Sequence, residues 1–221
     1  AAASPEWLAA GSMPEAPQGP FAFVTVGTTD FEELLQAVES EQVCATLLRK
    51  GITRLIVQIG SNRFVPTFAD CPSARVLAAP GASPASQPHG SADPSGRPTL
   101  HVELFRYATS IDAYLRGAAL VISHGGAGSV FESLERGAPL IVVANERLMD
   151  NHQVELAREL ERRGHVISAR TSTLAVVLSS RLPDAQRGRP ERPSLTRYNL
   201  EDTPGGGAAG VAAKIDAFLS G

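Results

Sequence analysis

The stretch from His124 to Glu132 reads HGGAGSVFE and directly follows the apolar run Ala118-Ala119-Leu120-Val121-Ile122-Ser123. A buried strand should therefore empty through a glycine turn into a helix, the place where an open α/β sheet binds phosphates. Gly125, Gly126 and Gly128 let the backbone turn sharply and approach a ligand closely. The helix behind them, entered through Ala127 and Ser129, would aim its unpaired N–H groups and positive dipole end at an anion. Each charged hydrogen bond contributes about 1.5–3 kcal/mol. Two or three of them match the roughly 4 to 8 kcal/mol of a millimolar-to-micromolar ligand.

Bland readings stand beside this one. A tight strand-to-helix turn needs glycine whether or not anything binds there, and His124 on its own reads equally as a buried, satisfied histidine. Ser129 and Glu132 have the spacing of a helix-capping box, and so do Asp150 and Gln153. The loop matches neither GxxxxGK[ST] nor GxGxxG with a distal acidic residue, which disfavours ATP hydrolysis and NAD binding. There is no Asp-x-Asp pair to bridge a metal to a sugar nucleotide and no His/Cys cluster. The expectation is a diphosphate site with no metal and no cofactor beyond a nucleotide substrate.

The elements that must position this loop follow a β-α-β-α beat, which predicts a parallel doubly wound sheet. Phe21 to Val26 reads as a strand ending at Gly27-Thr28-Thr29, with a helix behind it that carries Phe31, Leu34, Leu35 and Val38 on one face. Asp30 and Glu33 have capping spacing at that helix start. A second helix spans about Gln42 to Lys50 and stops at Gly51. The strand Leu55 to Gly60 is apolar almost throughout, as in a sheet covered on both faces. Further strands are expected at Leu100 to Phe105, Ala118 to Ser123, Pro139 to Val143 and His165 to Ser168. Helices are expected from about Ser110 to Arg116, after the glycine loop to Arg136, from Asn151 to Arg163 and from Thr171 to Ser180. Gly27-Thr28-Thr29, the Ser123 to Ser129 loop and Asn145 to Gln153 then meet at the carboxyl edge of the sheet, where such folds bind ligands.

With 221 residues, 43% apolar and 19% charged, the chain fits one globular domain with some loose sequence. A net charge of -3 and a pI near 6.0 argue against a nucleic-acid surface. Cys44 and Cys71 read as ordinary free thiols in a reducing compartment. The longest apolar stretch, Ala138 to Ala144, is far below the ~20 residues that span a bilayer, so no direct membrane span is expected. The expected organisation is a disordered leader over 1–20, a nucleotide-binding domain over 21–180, a loop over 181–207 and a terminal helix over 208–221. A Pro/Ala/Gly-rich surface insertion over 71–99 interrupts the domain. Val211, Ile215, Phe218 and Leu219 share one face of the terminal helix, which covers either this sheet or a partner.

The stretches FVTVGTTDFEELL, RLIVQIGSN and LVISHGGAGSVFESLERGAPLIVVANERLMDNHQVELA resemble the soluble catalytic subunits of the two-part UDP-N-acetylglucosamine transferases of dolichol-linked oligosaccharide synthesis. Those subunits are similar to the C-terminal, donor-binding half of the GT-B enzymes of glycosyltransferase family 28. The resemblance covers roughly Phe21 to Gly60 and Leu100 to Ser172. It implies a single Rossmann-like domain binding UDP-N-acetylglucosamine. Ser123, His124, Gly125, Gly126, Ala127, Gly128 and Ser129 would lie along the UDP diphosphate, and Glu132 would accept hydrogen bonds from the ribose hydroxyls. Asp150, Asn151, His152 and Gln153 would face the donor sugar, with Gln153 on a sugar hydroxyl. Gly27, Thr28 and Thr29 would close the site beside the leaving diphosphate.

The resemblance further implies an inverting displacement that adds the second sugar to N-acetylglucosaminyl-diphosphodolichol, for protein N-glycosylation. A chain of this length holds one domain, so the lipid-pyrophosphate-linked acceptor would be bound by a membrane-anchored partner in a heterodimer. That places the work at the cytosolic face of the endoplasmic reticulum. The sequence does not identify the general base: His152, His124 and a group on the partner are all candidates. Two rival functions stand, a sugar-nucleotide epimerase and a noncatalytic nucleotide-sugar scaffold. Transfer assays separate them, because an epimerase acts without an acceptor and a scaffold binds without turnover.

Overall fold

The computed structural model describes residues 19–77, 98–145, 152–186, 190–191 and 193–198. The leader, most of the expected insertion, Asp150, Asn151, the side chain of His152 and the expected terminal helix lie outside the described residues.

Seven strands, β1 (Phe21–Thr25), β2 (Arg54–Gln58), β3 (Ala74–Val76), β4 (Leu100–Phe105), β5 (Leu120–His124), β6 (Leu140–Val143) and β7 (Ile167–Ala169), form one sheet in the order β3-β4-β2-β1-β5-β6-β7. Every pairing is parallel. Leaving β3 aside, the chain starts in the middle, builds outward through β2 and β4, then returns to build the other way from β5. That is the doubly wound Rossmann-like order, and β1 and β5 flank the point where the winding reverses.

Both faces of the sheet are buried, which explains the continuous apolar runs in its strands. Ala22, Val24, Leu55, Val57, Leu120, Ile122, Ile141 and Val143 face one core with residues of α1 (Glu32–Val38), α2 (Glu41–Arg49) and α6 (Leu174–Arg181). The alternate residues Phe21, Phe23, Ile56, Val121, Leu140 and Val142 face a second core. Residues of α3 (Asp112–Gly117), α4 (Ala127–Glu135) and α5 (His152–Arg162) line it. On that side Phe23, Phe105 and Tyr114 stack with ring centroids 5.1–6.3 Å apart. Burying one such side chain contributes about 1.5–3 kcal/mol, so the two layers lock the strand ends in place.

Four details differ from the sequence reading. Asp30 and Glu33 do not form a cap: α1 is capped at Phe31 without a side-chain bond, and the Phe31 N–H donates to Asn62 Oδ1 at 2.9 Å. The acceptor comes from a distant loop. Residues 74–76 belong to the sheet as edge strand β3, so the span 71–99 is not all insertion, and the chain passes from β2 to β3 with no helix between. The helix expected from Thr171 to Ser180 begins as a 3₁₀ turn at Thr171–Thr173 before α6. Within the expected loop over 181–207, residues 193–198 have no helix or strand yet dock on the body. The Tyr198 ring lies 5.9 Å from Phe131, and the Thr196 N–H donates to the Gly164 carbonyl at 2.9 Å.

Lys50 anchors the approach to that segment. Its buried ammonium donates to the carbonyls of Ser179 and Leu182 at 2.9 and 2.6 Å and to Asp184 at 2.7 Å. Both cysteines are free and buried, and burial pushes the Cys71 thiol up to about 11. Among the described residues, no helix is long and apolar enough to cross a membrane.

Candidate functional site

The reversal between β1 and β5 brings two glycine turns together. The register pairs Thr25 with Ser123, so Gly27-Thr28-Thr29 and His124-Gly125-Gly126 leave the sheet side by side. Gly27 has φ +60, a conformation that favours glycine, and its N–H donates to Thr25 Oγ1 at 3.0 Å. Thr25 Oγ1 in turn donates to Gln58 Oε1 at 2.5 Å. Thr29 folds back on the strand end, donating from N and Oγ1 to the Val26 carbonyl at 3.2 and 2.7 Å. Thr28 sits exposed at the tip.

His124 is the last residue of β5, and its buried ring fills the gap between the turns. A Cβ added to Gly126 would lie 2.3 Å from His124 Nε2, and one added to Gly27 would lie 2.7 Å from Cε1. Nδ1 lies 3.3 Å from the Thr25 carbonyl, which only accepts, so Nδ1 carries the proton and Nε2 is the acceptor. Burial pushes the imidazole pKa below its usual range, against a smaller opposing pull from the Thr25 carbonyl. The arrangement is that of a buried histidine, bonded through Nδ1, that shapes both turns. Ser123 is buried as well, with Oγ donating to the His124 carbonyl at 2.9 Å.

Helix α4 starts at Ala127 behind Gly126, whose φ and ψ of −68 and 123 are extended and which supplies no side-chain cap. The N–H groups of Ala127, Gly128 and Ser129 form the first turn and have no intrahelical acceptors. No acidic residue occupies that turn to compete for them. An oxyanion of a ligand is the group this end of the helix can take. Ser129 is the third helical residue and not the cap, which removes the capping-box reading of Ser129 and Glu132. Glu132 lies one turn on, 39% exposed, 3.9 Å from Arg136. Arg136 is itself held by Asp112 at 2.7 Å and Glu135 at 3.2 Å, so the Glu132 carboxylate stays open to hydroxyl donors.

Gln153, in the first turn of α5, faces the same loop. A Cβ added to Gly125 would lie 3.1 Å from both its Cβ and its Oε1. That oxygen is buried and finds no hydrogen-bond partner among the described residues. An unsatisfied buried acceptor costs about 1–3 kcal/mol, which a ligand hydroxyl could relieve. Asp150 and Asn151 lie outside the described residues, and His152 is placed only as the first residue of α5.

The structure adds residues to which the sequence reading gave no part. Gly60, Ser61 and Asn62 follow β2 at the same edge and press on the Gly27 turn, while Arg106 and the 42% exposed Tyr107 follow β4. Their signal was position alone: each follows an apolar strand at the edge where ligands bind. Among the described residues, no group of three His, Cys, Asp or Glu could hold a metal ion. A cavity of about 310 Å³ lined by Leu134, Arg136, Pro139, His165, Leu195 and Tyr198 lies elsewhere, at the start of β6.

Known proteins resemble this chain in sequence and fold. The human UDP-N-acetylglucosamine transferase subunit ALG13 is 38% identical over 144 residues, covering 65% of this chain and 10% of that protein. The chain thus spans about a tenth of the length of that relative. An NMR solution structure of ALG13 is similar with a TM-score of 0.54 at 26% identity, over 83% of this chain and 93% of that one. The crystal structure of MurG from Acinetobacter baumannii shares the fold with a TM-score of 0.51 at 18% identity. There 75% of this chain corresponds to 40% of that one. The fold is that of one half of a GT-B glycosyltransferase. Residues 21–192 match the model of the glycosyltransferase family 28 C-terminal domain, the family to which this chain belongs.

Proposed function

We propose that this chain is the donor-binding, catalytic half of an inverting UDP-N-acetylglucosamine transferase, working with a membrane-anchored partner. The partner would hold the acceptor, N-acetylglucosaminyl-diphosphodolichol, at the cytosolic face of the endoplasmic reticulum membrane. The observation that carries the reading is the uncapped start of α4 beside the Gly27 turn, at the reversal of the sheet. Membership of the family and the name of the human relative support the donor and the division into subunits.

In this reading Gly125 to Ser129 and the helix dipole meet the diphosphate. Glu132 accepts from the ribose hydroxyls. Gln153 Oε1 accepts from a sugar hydroxyl. Asp150, Asn151 and His152 line the same sugar. The acceptor hydroxyl attacks the anomeric carbon as the bond to the diphosphate breaks, and inversion follows from a single displacement. The amides of Ala127, Gly128 and Ser129 stabilise the charge that grows on departing UDP, a contribution larger in the transition state than in the ground state. The reaction then needs no metal and no cofactor. The buried ring of His124 is packed against Gly126 and Gly27 and serves to position the two turns, which leaves His152 or a partner group to accept the proton.

The test is transfer from UDP-N-acetylglucosamine to a short lipid-pyrophosphate acceptor, by the chain alone and with its co-expressed membrane partner. The reading expects a disaccharide product with inverted configuration only when both are present. Transfer by the isolated chain would overturn the division of labour. Conversion of the donor without acceptor would indicate an epimerase, and stoichiometric UDP binding without turnover a scaffold.

A further inference from the structure

The Gly27-Thr28-Thr29 turn is held by more than its own bonds to β1: the loop leaving β2 meets its carbonyls in order. Gly60, at φ +54, sits so close that an added Cβ would lie 2.6 Å from the Gly27 carbonyl oxygen. Ser61 Oγ donates to the Thr28 carbonyl at 3.1 Å, and Asn62 Nδ2 donates to the Thr29 carbonyl at 3.2 Å. Asn62 is fully buried. It also donates to the Ile59 carbonyl at 2.7 Å and accepts the Phe31 N–H at 2.9 Å. The loop is closed in turn from β4, where Arg106 Nη1 donates to the carbonyls of Gly60 and Asn62 at 3.1 and 2.8 Å.

This arrangement has an electrostatic consequence. A carbonyl oxygen carries partial negative charge, and one turned toward a diphosphate would repel it. With the Thr28 and Thr29 carbonyls bonded to the β2 loop, and the Val26 carbonyl bonded to Thr29, the turn presents few negative dipole ends to the anion site. We propose that Arg106 and Asn62 are positioning residues that hold these carbonyls away from the bound diphosphate. The inference rests on the reading that Gly27-Thr28-Thr29 lies beside that diphosphate. Neither residue need touch the ligand.

The test compares UDP and UMP binding by calorimetry for the full 221-residue chain and for Arg106→Gln and Arg106→Lys. Arg106→Gln should weaken UDP about tenfold, as the turn loses its restraint, and UMP less than about threefold. Arg106→Lys, whose ammonium can still donate to both carbonyls, should recover most of the loss. A merely structural role would lower both affinities together or neither. Unchanged UDP affinity in Arg106→Gln, an equal loss for both nucleotides, or no recovery with lysine would each overturn the proposal. Equal affinity of the unsubstituted chain for UDP and UMP would instead remove the diphosphate reading on which it rests. Should Arg106→Gln fail to fold, Ser61→Ala removes one tie from an exposed position. It should weaken UDP about two- to threefold and leave UMP unchanged, and no effect on UDP would overturn the proposal.

Discussion

Replacing Gly126 by alanine isolates one contact on which the glycine loop depends. Backbone strain does not enter, because φ −68 and ψ 123 suit any residue. The new methyl would lie 2.3 Å from His124 Nε2, 3.0 Å from Cδ2 and 3.1 Å from Cε1. The ring cannot simply retreat: Gly27 closes the other side, and Nδ1 lies 3.3 Å from the Thr25 carbonyl. Overpacking of this kind costs about 1–3 kcal/mol. Losing the Thr25 bond adds about 1 kcal/mol. In a domain of this size each kcal/mol moves the melting temperature by about 2–4 °C, so Gly126→Ala should lower it by roughly 4–16 °C. Gly128→Ala is the control: a Cβ there meets nothing within 4 Å, and the helix gains up to about 1 kcal/mol. Thermal melts of both variants and of the double variant His124→Ala/Gly126→Ala complete the test. The loss at Gly126 should largely vanish when the ring is gone. If Gly126→Ala melts like Gly128→Ala, the wedge role of His124 is wrong.

Glu132→Ala should leave the melting temperature within about 2 °C and weaken UDP at least tenfold, since charged hydrogen bonds to ribose hydroxyls are worth about 1.5–3 kcal/mol each; unchanged calorimetric affinity would refute the ribose assignment. Burial holds the folded-state pKa of His124 below its unfolded value of about 6.5, so the unfolded chain binds more protons in that window. Stability should therefore fall as pH drops below about 6.5 toward the folded-state value. Denaturant titrations of His124→Gln between about pH 7.5 and 5.5 should show a smaller fall than the unsubstituted chain, and an equal fall would refute the buried neutral imidazole. Lys50→Met leaves the Ser179 and Leu182 carbonyls without their donor and should cost about 2–4 kcal/mol, read as a lower denaturant midpoint. A chelator should leave UDP affinity unchanged, and a loss reversed by a divalent cation would contradict diphosphate binding by amides.

The parts of the fold legible in the sequence were those whose signal is local. Continuous apolar runs marked β1, β2, β4, β5 and β6 because parallel strands buried on both faces need them. Gly51, Gly137 and Gly164 marked helix ends, and each adopts positive φ. Features that depend on distant partners were not legible. The acceptor for the Phe31 N–H at the start of α1 comes from Asn62, thirty-one residues along the chain, so the Asp30 spacing misled. β3 is a half-buried edge strand of three residues next to a Pro/Ala/Gly-rich stretch, too short for periodicity to reveal. Tyr198 docks from an Arg/Pro-rich run in which a single aromatic carries no period. At the site, HGGAGS announced its turn and helix start through composition. The work of Arg106 and Asn62 did not show, because their bonds go to main-chain carbonyls, which no sequence pattern encodes.

The central claim is that main-chain amides at the start of α4, beside the Gly27 turn, receive a nucleotide diphosphate. An NMR titration of the isotope-labelled chain with UDP tests it most directly. The amides of Gly27, Gly125, Gly126, Ala127, Gly128 and Ser129 should move most and saturate together, with those of Glu132 and Gln153 following at smaller amplitude. Shifts confined to Arg136, His165 and Thr196 around the cavity at the start of β6, with the glycine loop unmoved, would contradict it.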